Sequence, residues 1–352
     1  PLVLGGDTVA NFFATLPADT FSIAGSDVVT SGIVTAVDSN GFYLQDPDGD
    51  SDIATSDAIF VFTGSSPAVA VGDSVEVTGT ASEFFPGDTD TRNLPATQVG
   101  AADVLVCDSG NALPAPVVIG TSGRVPPAQV IDNDAFGRYD PVNDGIDFFE
   151  SLEAMRVTVE DARAIAGTNR FGEIFAVANQ GVDASGISDR GTLNIAPDDF
   201  NPEKVQIDED PGVFNFDFPD VATGDHLGDI TGVINYSFGN FEVVPTEDFS
   251  GNVIGNGLLP DSSELVGTGE RLTVASYNVL NLETNDDDGD TDVADGRFDA
   301  IAAQVVDSLN SPDIIGLQEV QDNSGSTDDG VVAADQTLQA LVDAIAAAGG
   351  AV

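Results

Sequence analysis

Through about residue 250 the chain is a succession of short runs of β-branched and aromatic residues. Gly, Asp, Asn or Pro cuts each run at roughly the 8–12-residue spacing of sandwiches and barrels, and helical periodicity is almost absent. A chain so punctuated cannot build a helical bundle over that length. The clearest strands are GIVTAVD from Gly32, GFYLQD from Gly41, AIFVFTG from Ala58 and DSVEVTGT from Asp73, with Ser39 to Gly41 as a tight hairpin turn between the first two.

The scheme then recurs as RVTVEDARAIAG from Arg156, RFGEIFAVAN from Arg170 and GDITGVINYSFGNFEVVP from Gly228. An ordered echo links the halves: Gly72-Asp73 followed by Thr78-Gly79 matches Gly224-Asp225 followed by Thr231-Gly232, each ahead of an aromatic strand. Two copies of one small β-barrel explain it. Strand count and order are similar to OB-fold modules, with five strands in a Greek-key barrel. The expected layout is a lead-in over residues 1–27, OB-like module 1 over 28–112 and OB-like module 2 over 113–250. Residues 251–270 are a linker ahead of a different architecture over 271–352. Stretches rich in Pro and Gly at Pro114 to Pro127 and Gly251 to Gly269 read as inter-module linkers.

Charge limits what such modules can bind. Sixty acidic residues against ten basic ones leave a formal charge of −50, while 41% hydrophobic content and 21 Phe argue for packed cores. OB-folds often bind single strands through aromatics in a basic groove, and Phe42, Tyr43, Phe84 and Phe85 are candidates for stacking. The groove is missing, since Arg92 is the only basic residue among the first ninety-five, and the reading preferred for the aromatics of GFYLQD is that they fill the barrel. No apolar run approaches the roughly 18 residues of a membrane span. Cys107, the single cysteine, excludes an internal disulfide framework and is expected to be a buried small hydrophobe within VLVC.

After about Arg271 the pattern becomes strand, helix, strand, helix. LTVASYNVL is an apolar strand; Phe298, Ile301, Ala302, Val305 and Leu309 have helical spacing; DIIGLQEV from Asp313 is a second strand; Leu338, Leu341, Val342 and Ile345 mark another amphipathic helix. A crossover of this length brings two parallel strands side by side. Near their C-terminal ends stand Asn278 and Glu319, each interrupting an apolar run. A carboxylate and an amide there offer hard oxygen ligands of the kind that hold Mg²⁺ together with water and phosphate. On spacing alone a capped turn and a first solvated residue explain the pair equally well.

These residues resemble the endonuclease/exonuclease/phosphatase superfamily, whose domain opens with a strand carrying Asn and continues to an LQE strand. The runs DGRFDAIAAQVV, SPDIIGLQEVQDN and DQTLQALVDAIAAAGG are similar to its extracellular branch with OB-like modules ahead of the catalytic domain, as is DGIDFFESLEAMRV at Asp144. The resemblance implies a mostly β chain with a C-terminal α+β part, the first β-α-β-α portion of a DNase I-like four-layer sandwich. It implies a secreted hydrolase cutting phosphodiester bonds of DNA or RNA, with Mg²⁺ or Mn²⁺ on Glu319. Asn278 would position metal and phosphate, and Gln318 would support the glutamate. The family's base histidine and its partners would lie downstream of Val352, and His226, the only histidine, falls in the second module, so the chain is expected to be inactive alone.

Two acidic loops are candidate calcium sites, Asp46, Asp48, Asp50 and Asp52 in the first and Asp286, Asp288, Asp290 and Asp292 in the second. Gly at the fourth place and no Glu at the twelfth exclude an EF-hand, and exposed acidic turns are the competing reading. Two other functions stay open: a non-enzymatic, calcium-stabilised extracellular protein used for adhesion or substrate binding, and a phosphatase of the same superfamily.

Overall fold

Valines alternating with Glu76, Thr78 and Thr80 give the strand from Ser74 one apolar and one polar face, and closing a sheet on such faces makes a barrel. The computed structural model describes residues 24–87 and 93–351, in two compact units divided between Gly257 and Leu258. The first barrel comprises β1 (Asp27–Val37), β2 (Gly41–Gln45), β3 (Ala58–Phe62), β4 (Ser74–Phe84) and β5 (Ala96–Asp108), closed in the order β1-β2-β3-β5-β4. All neighbours are antiparallel except β3 and β5. This is OB-fold connectivity. The Asp38 N–H donates to the Gly41 carbonyl at 2.8 Å and closes the expected β1–β2 turn.

Val34, Phe42, Leu44, Ile59, Val61, Val75, Val77 and Val99 fill this barrel. Each such side chain contributes about 1.5–3 kcal/mol of burial. Phe42 therefore points inward, as preferred from sequence, while Phe84 is exposed. Arg92 lies outside the described residues. Cys107 corrects the sequence expectation: it is exposed, because the last residues of β5 run past the core together with exposed Leu105 and Val106.

The second barrel repeats the connectivity strand for strand. It is built of β6 (Val117–Ile119), a short helix α1 (Gly145–Glu150), β7 (Arg156–Ala164), β8 (Ile174–Val177), β9 (Val205–Ile207), β10 (His226–Ser237) and β11 (Asn240–Pro245). β7 pairs with β8, β8 with β9, β10 with β11 and β10 back with β7, all antiparallel, whereas β9 and β11 are parallel. β6 adds alongside β7 in parallel. Pro114 to Pro127, expected as a linker, thus contains a strand of this sheet; Val117, Val118 and Ile119 supply three β-formers and a long-range partner in Val157 to Val159.

DGIDFFESLEAMRV joins the barrels. Phe148, Phe149, Leu152 and Met155 lie in one apolar cluster with Ile174, Ile207 and Ile230 of the second barrel and with Ala36, Tyr43 and Ala58 of the first. Tyr43 thus serves the junction. Ser56 Oγ donates to the Glu153 carbonyl at 2.6 Å, and the Thr97 N–H donates to Glu153 Oε1 at 2.9 Å.

The second unit carries β12 (Val274–Leu282), α2 (Arg297–Ala303) running into a π-helical turn (Gln304–Ser308), β13 (Ile314–Val320) and α3 (Asp335–Ala347). β12 and β13 are parallel, with Val274 opposite Ile314 and Asn278 opposite Gln318. Val279, Leu282, Phe298, Ile301, Val305 and Leu341 form its core. Among the described residues no helix is long and apolar enough to cross a membrane. The chain as described is mostly β, with a smaller C-terminal α+β part.

Candidate functional site

The parallel register of β12 and β13 carries Asn278 and Glu319 to adjacent strand ends. Asn278 Nδ2 donates to Glu319 Oε1 at 2.6 Å, and Asn278 Oδ1 accepts the Leu280 N–H at 2.8 Å. The amide is therefore engaged at both ends, fixing one carboxylate oxygen of Glu319. Both side chains lie on the open side of the unit. Gln318 is placed beside them, its Oε1 accepting Ser276 Oγ at 3.3 Å and its Nε2 donating to the Gly316 carbonyl at 3.0 Å, without a bond to Glu319 itself.

The backbone around this pair is unusual. Glu319 has φ +57°, and across the strand Leu280 and Asn281 have φ +51° and +56°. Left-handed backbone at residues other than Gly costs of order 1–3 kcal/mol each and collects where function constrains the chain. The register slips between Asn278 and Leu282, so β12 carries a bulge at the height of Glu319. The left-handed residue ends the alternation of β13.

The acidic loops diverge in structure. In the first, Asp46 Oδ1 accepts the Asp48 N–H at 3.0 Å, Asp50 Oδ1 accepts the Asp52 N–H at 2.8 Å, and Asp52 Oδ1 accepts the Ala54 N–H at 3.0 Å. Thr55 Oγ1 lies 2.9 Å from both oxygens of Asp50. These carboxylates cap successive turns.

In the second loop Asp286 likewise accepts the N–H groups of Val293 and Ala294, both at 3.0 Å. Asp290 and Asp292 instead converge with Glu283, which is not among the residues expected from sequence, their ligand oxygens all within 4.8 Å of one another. Among the described residues this is the only such group of three or more. Glu283 and Asp292 are each 1% exposed. Arg297 pairs with Asp292 and donates to the carbonyls of Val279 and Leu280 at 2.7 and 2.8 Å, tying the loop to the end of β12. Burial and the neighbouring Asp290 and Asp288 carboxylates push Glu283 up to about 7. Its signal in sequence was only its place, directly after the last buried residue of β12.

His226 sits on β10 and pairs with Asp161, in the other unit from Glu319.

Comparison with known proteins bears mainly on the second barrel. Residues 118–254 match a family model described as a domain of unknown function (DUF8508), a span running from within β6 past the end of β11. No curated protein matches. Among solved structures the chain is similar to the crystal structure of fission yeast Pot1 and ssDNA, at 13% identity over 70% of this chain and 91% of that one, with a TM-score of 0.21.

Proposed function

We propose that Asn278 and Glu319 contribute to a divalent-metal-dependent phosphodiesterase site, with nucleic acid as substrate. The observation that carries the reading is the Asn278–Glu319 hydrogen bond of 2.6 Å across two parallel strand ends, with Glu319 itself on left-handed backbone. A carboxylate with one oxygen fixed by an amide suits Mg²⁺ or Mn²⁺, ions that take one or two protein carboxylates and keep water and phosphate in their remaining positions. The donor set therefore fits the ion that the superfamily resemblance implies. Once bound, the metal would polarise the phosphoryl oxygen and stabilise the leaving group.

The protein groups then have separate tasks. Glu319 supplies the charged ligand. Asn278, with its Oδ1 on the Leu280 N–H, holds the carboxylate in one rotamer rather than ligating the ion itself. Gln318 holds the strand edge beside them through Ser276. A base that activates water is not among these groups, and His226 pairs with Asp161. Substrate must also approach locally or through bridging cations, since a surface bearing −50 repels phosphate.

The test is cleavage of plasmid DNA and of single-stranded RNA in Mg²⁺, comparing this 352-residue chain with the protein expressed from its full reading frame and with that protein carrying Glu319→Ala. Cleavage by the full protein alone, lost in the variant, supports the proposal. Cleavage that survives Glu319→Ala refutes the assignment of Glu319. A full protein that cleaves nothing and instead adheres to a substrate in calcium favours the non-enzymatic alternative.

A further inference from the structure

We infer that Glu283, Asp290 and Asp292 form a calcium site that pins the end of β12, separate from the metal proposed at Glu319. Convergent acidic residues alone would not carry this, since the surface is acidic throughout. The deciding feature is Glu283: the residue is 1% exposed, its Oε1 is buried with no hydrogen-bond partner, and its carboxylate has an oxygen within 4.8 Å of ligand oxygens of Asp290 and Asp292. Asp288 Oδ1 is likewise buried and unpartnered. A buried carboxylate oxygen without a donor is costly unless a cation or a proton meets it.

Charge balance points to a cation. Four carboxylates gather here, and Arg297, the one basic partner among the described residues, is engaged with Asp292 and with two carbonyls of β12. Asp292 is held in turn on its other oxygen, Oδ2, by the Glu283 N–H at 3.1 Å. Asp290 is exposed and leaves a solvent side from which an ion and its water can enter.

The loop is prearranged for it. Asn285 Nδ2 donates to the Ser324 carbonyl at 3.0 Å, and Asp288 Oδ2 accepts the Ser326 N–H at 2.5 Å, so the segment after β12 is laced to the segment after β13. Gly325, at φ +67°, lies between them; a Cβ there would sit 2.3 Å from Asp288 Oδ2 and 2.9 Å from Glu283 Cδ. Only glycine allows that approach. Oxygen-only donors of irregular arrangement suit Ca²⁺, which tolerates irregular geometry, better than Mg²⁺, which demands a near-octahedral shell.

The test is calorimetric titration of the chelator-treated 352-residue protein with CaCl2 and with MgCl2, alongside thermal unfolding. One saturable calcium site is expected, tighter for Ca²⁺ than for Mg²⁺ and in roughly the 10⁻⁵ to 10⁻³ M range of loop sites. Glu283→Gln, which keeps the buried shape, and Asp290→Asn, at an exposed position that the fold tolerates, should each weaken it at least about tenfold. Asp50→Asn in the first acidic loop should leave it unchanged. Absence of saturable binding up to about 10 mM, well above that range, overturns the inference, as does binding indifferent to both variants or a preference for Mg²⁺.

Discussion

Gly72 and Gly224 hold one position in two barrels. Each has φ +86°, and each N–H donates to a carbonyl of the barrel's first long strand, Gly72 to Val34 at 2.9 Å and Gly224 to Ala164 at 2.7 Å. The aspartate that follows each glycine accepts, on Oδ2, the N–H three residues back, from Ala70 or Ala222, at 2.8 Å in both. The correspondence continues along the next strand, seven residues on in the first barrel and eight in the second, where β10 carries bulges. A Cβ on Gly79 would lie 2.4 Å from the Gly100 carbonyl oxygen, and one on Gly232 would lie 2.3 Å from that of Val244. Identical connectivity, turn and close approach mark the barrels as copies of one unit.

Gly79→Ala and Gly232→Ala should therefore each destabilise their barrel by about 2 kcal/mol or more, since the neighbour that must yield is strand backbone. Urea unfolding of the two variants measures it. Tolerance of alanine at either position would contradict the shared geometry.

The junction between the barrels should make stability fall with rising pH. Burial pushes Glu153 up to about 8, against the opposing Thr97 hydrogen bond, and pushes Glu83 up to about 7, from an ordinary value of 4.5. Below pH 4.5 these groups are neutral in both the folded and the unfolded chain. Between there and pH 8 the unfolded chain releases protons that the folded chain retains, so stability declines across that window. Glu153→Gln keeps the acceptor for Thr97 and removes the ionisation. It should gain on the order of 2 kcal/mol over the parent at pH 8.5 and almost nothing at pH 4.5. Guanidinium melts of both proteins at the two pH values read the difference, and equal stability at pH 8.5 would refute a buried, protonated Glu153.

How far all this was legible in the sequence depended on range. The β1–β2 hairpin, the Val75–Val77 alternation, the Gly-Asp and Thr-Gly echo and the helical stripe of Phe298 to Val305 are encoded within a dozen residues. Each is read directly from period and turn chemistry. β6 and β9 are three residues each and exist because Val157 and Glu242 wait for them far along the chain. Cys107 looked buried because its neighbours are apolar, yet the strand end that carries it leaves the core. Asn278 and Glu319 stood out as polar residues closing apolar strands. Glu283 did not, because only tertiary packing buries it among aspartates that look alike in sequence.

In the second unit the two-stranded sheet covers one face only. Ala275, Tyr277, Ile315 and Leu317 are half-buried, while Val274 and Ile314 on the other face are exposed. A sheet so covered has fewer apolar contacts holding its ladder closed. Amide exchange over 274–320 should be faster than in β4 or β10, by at least about tenfold at the slowest amides, about 1.4 kcal/mol of opening free energy. Protection equal to that of the barrels would mean the open face is covered in solution.

The left-handed backbone at Glu319 separates what the residue does for the fold from what it does for chemistry. Replacing it by Ala removes the carboxylate and the bond from Asn278 but leaves a Cβ at φ +57°; replacing it by Gly removes the same groups and the steric cost as well. Glu319→Gly should then be more stable than Glu319→Ala by about 1 kcal/mol, although glycine at an ordinary strand position is the weaker residue. Neither variant should retain metal-dependent cleavage in the protein expressed from its full reading frame. Urea midpoints of the two, set beside their cleavage rates, give both answers. A less stable glycine variant would place Glu319 in ordinary extended backbone and remove the strain argument, whereas cleavage by either variant would remove Glu319 from the chemistry.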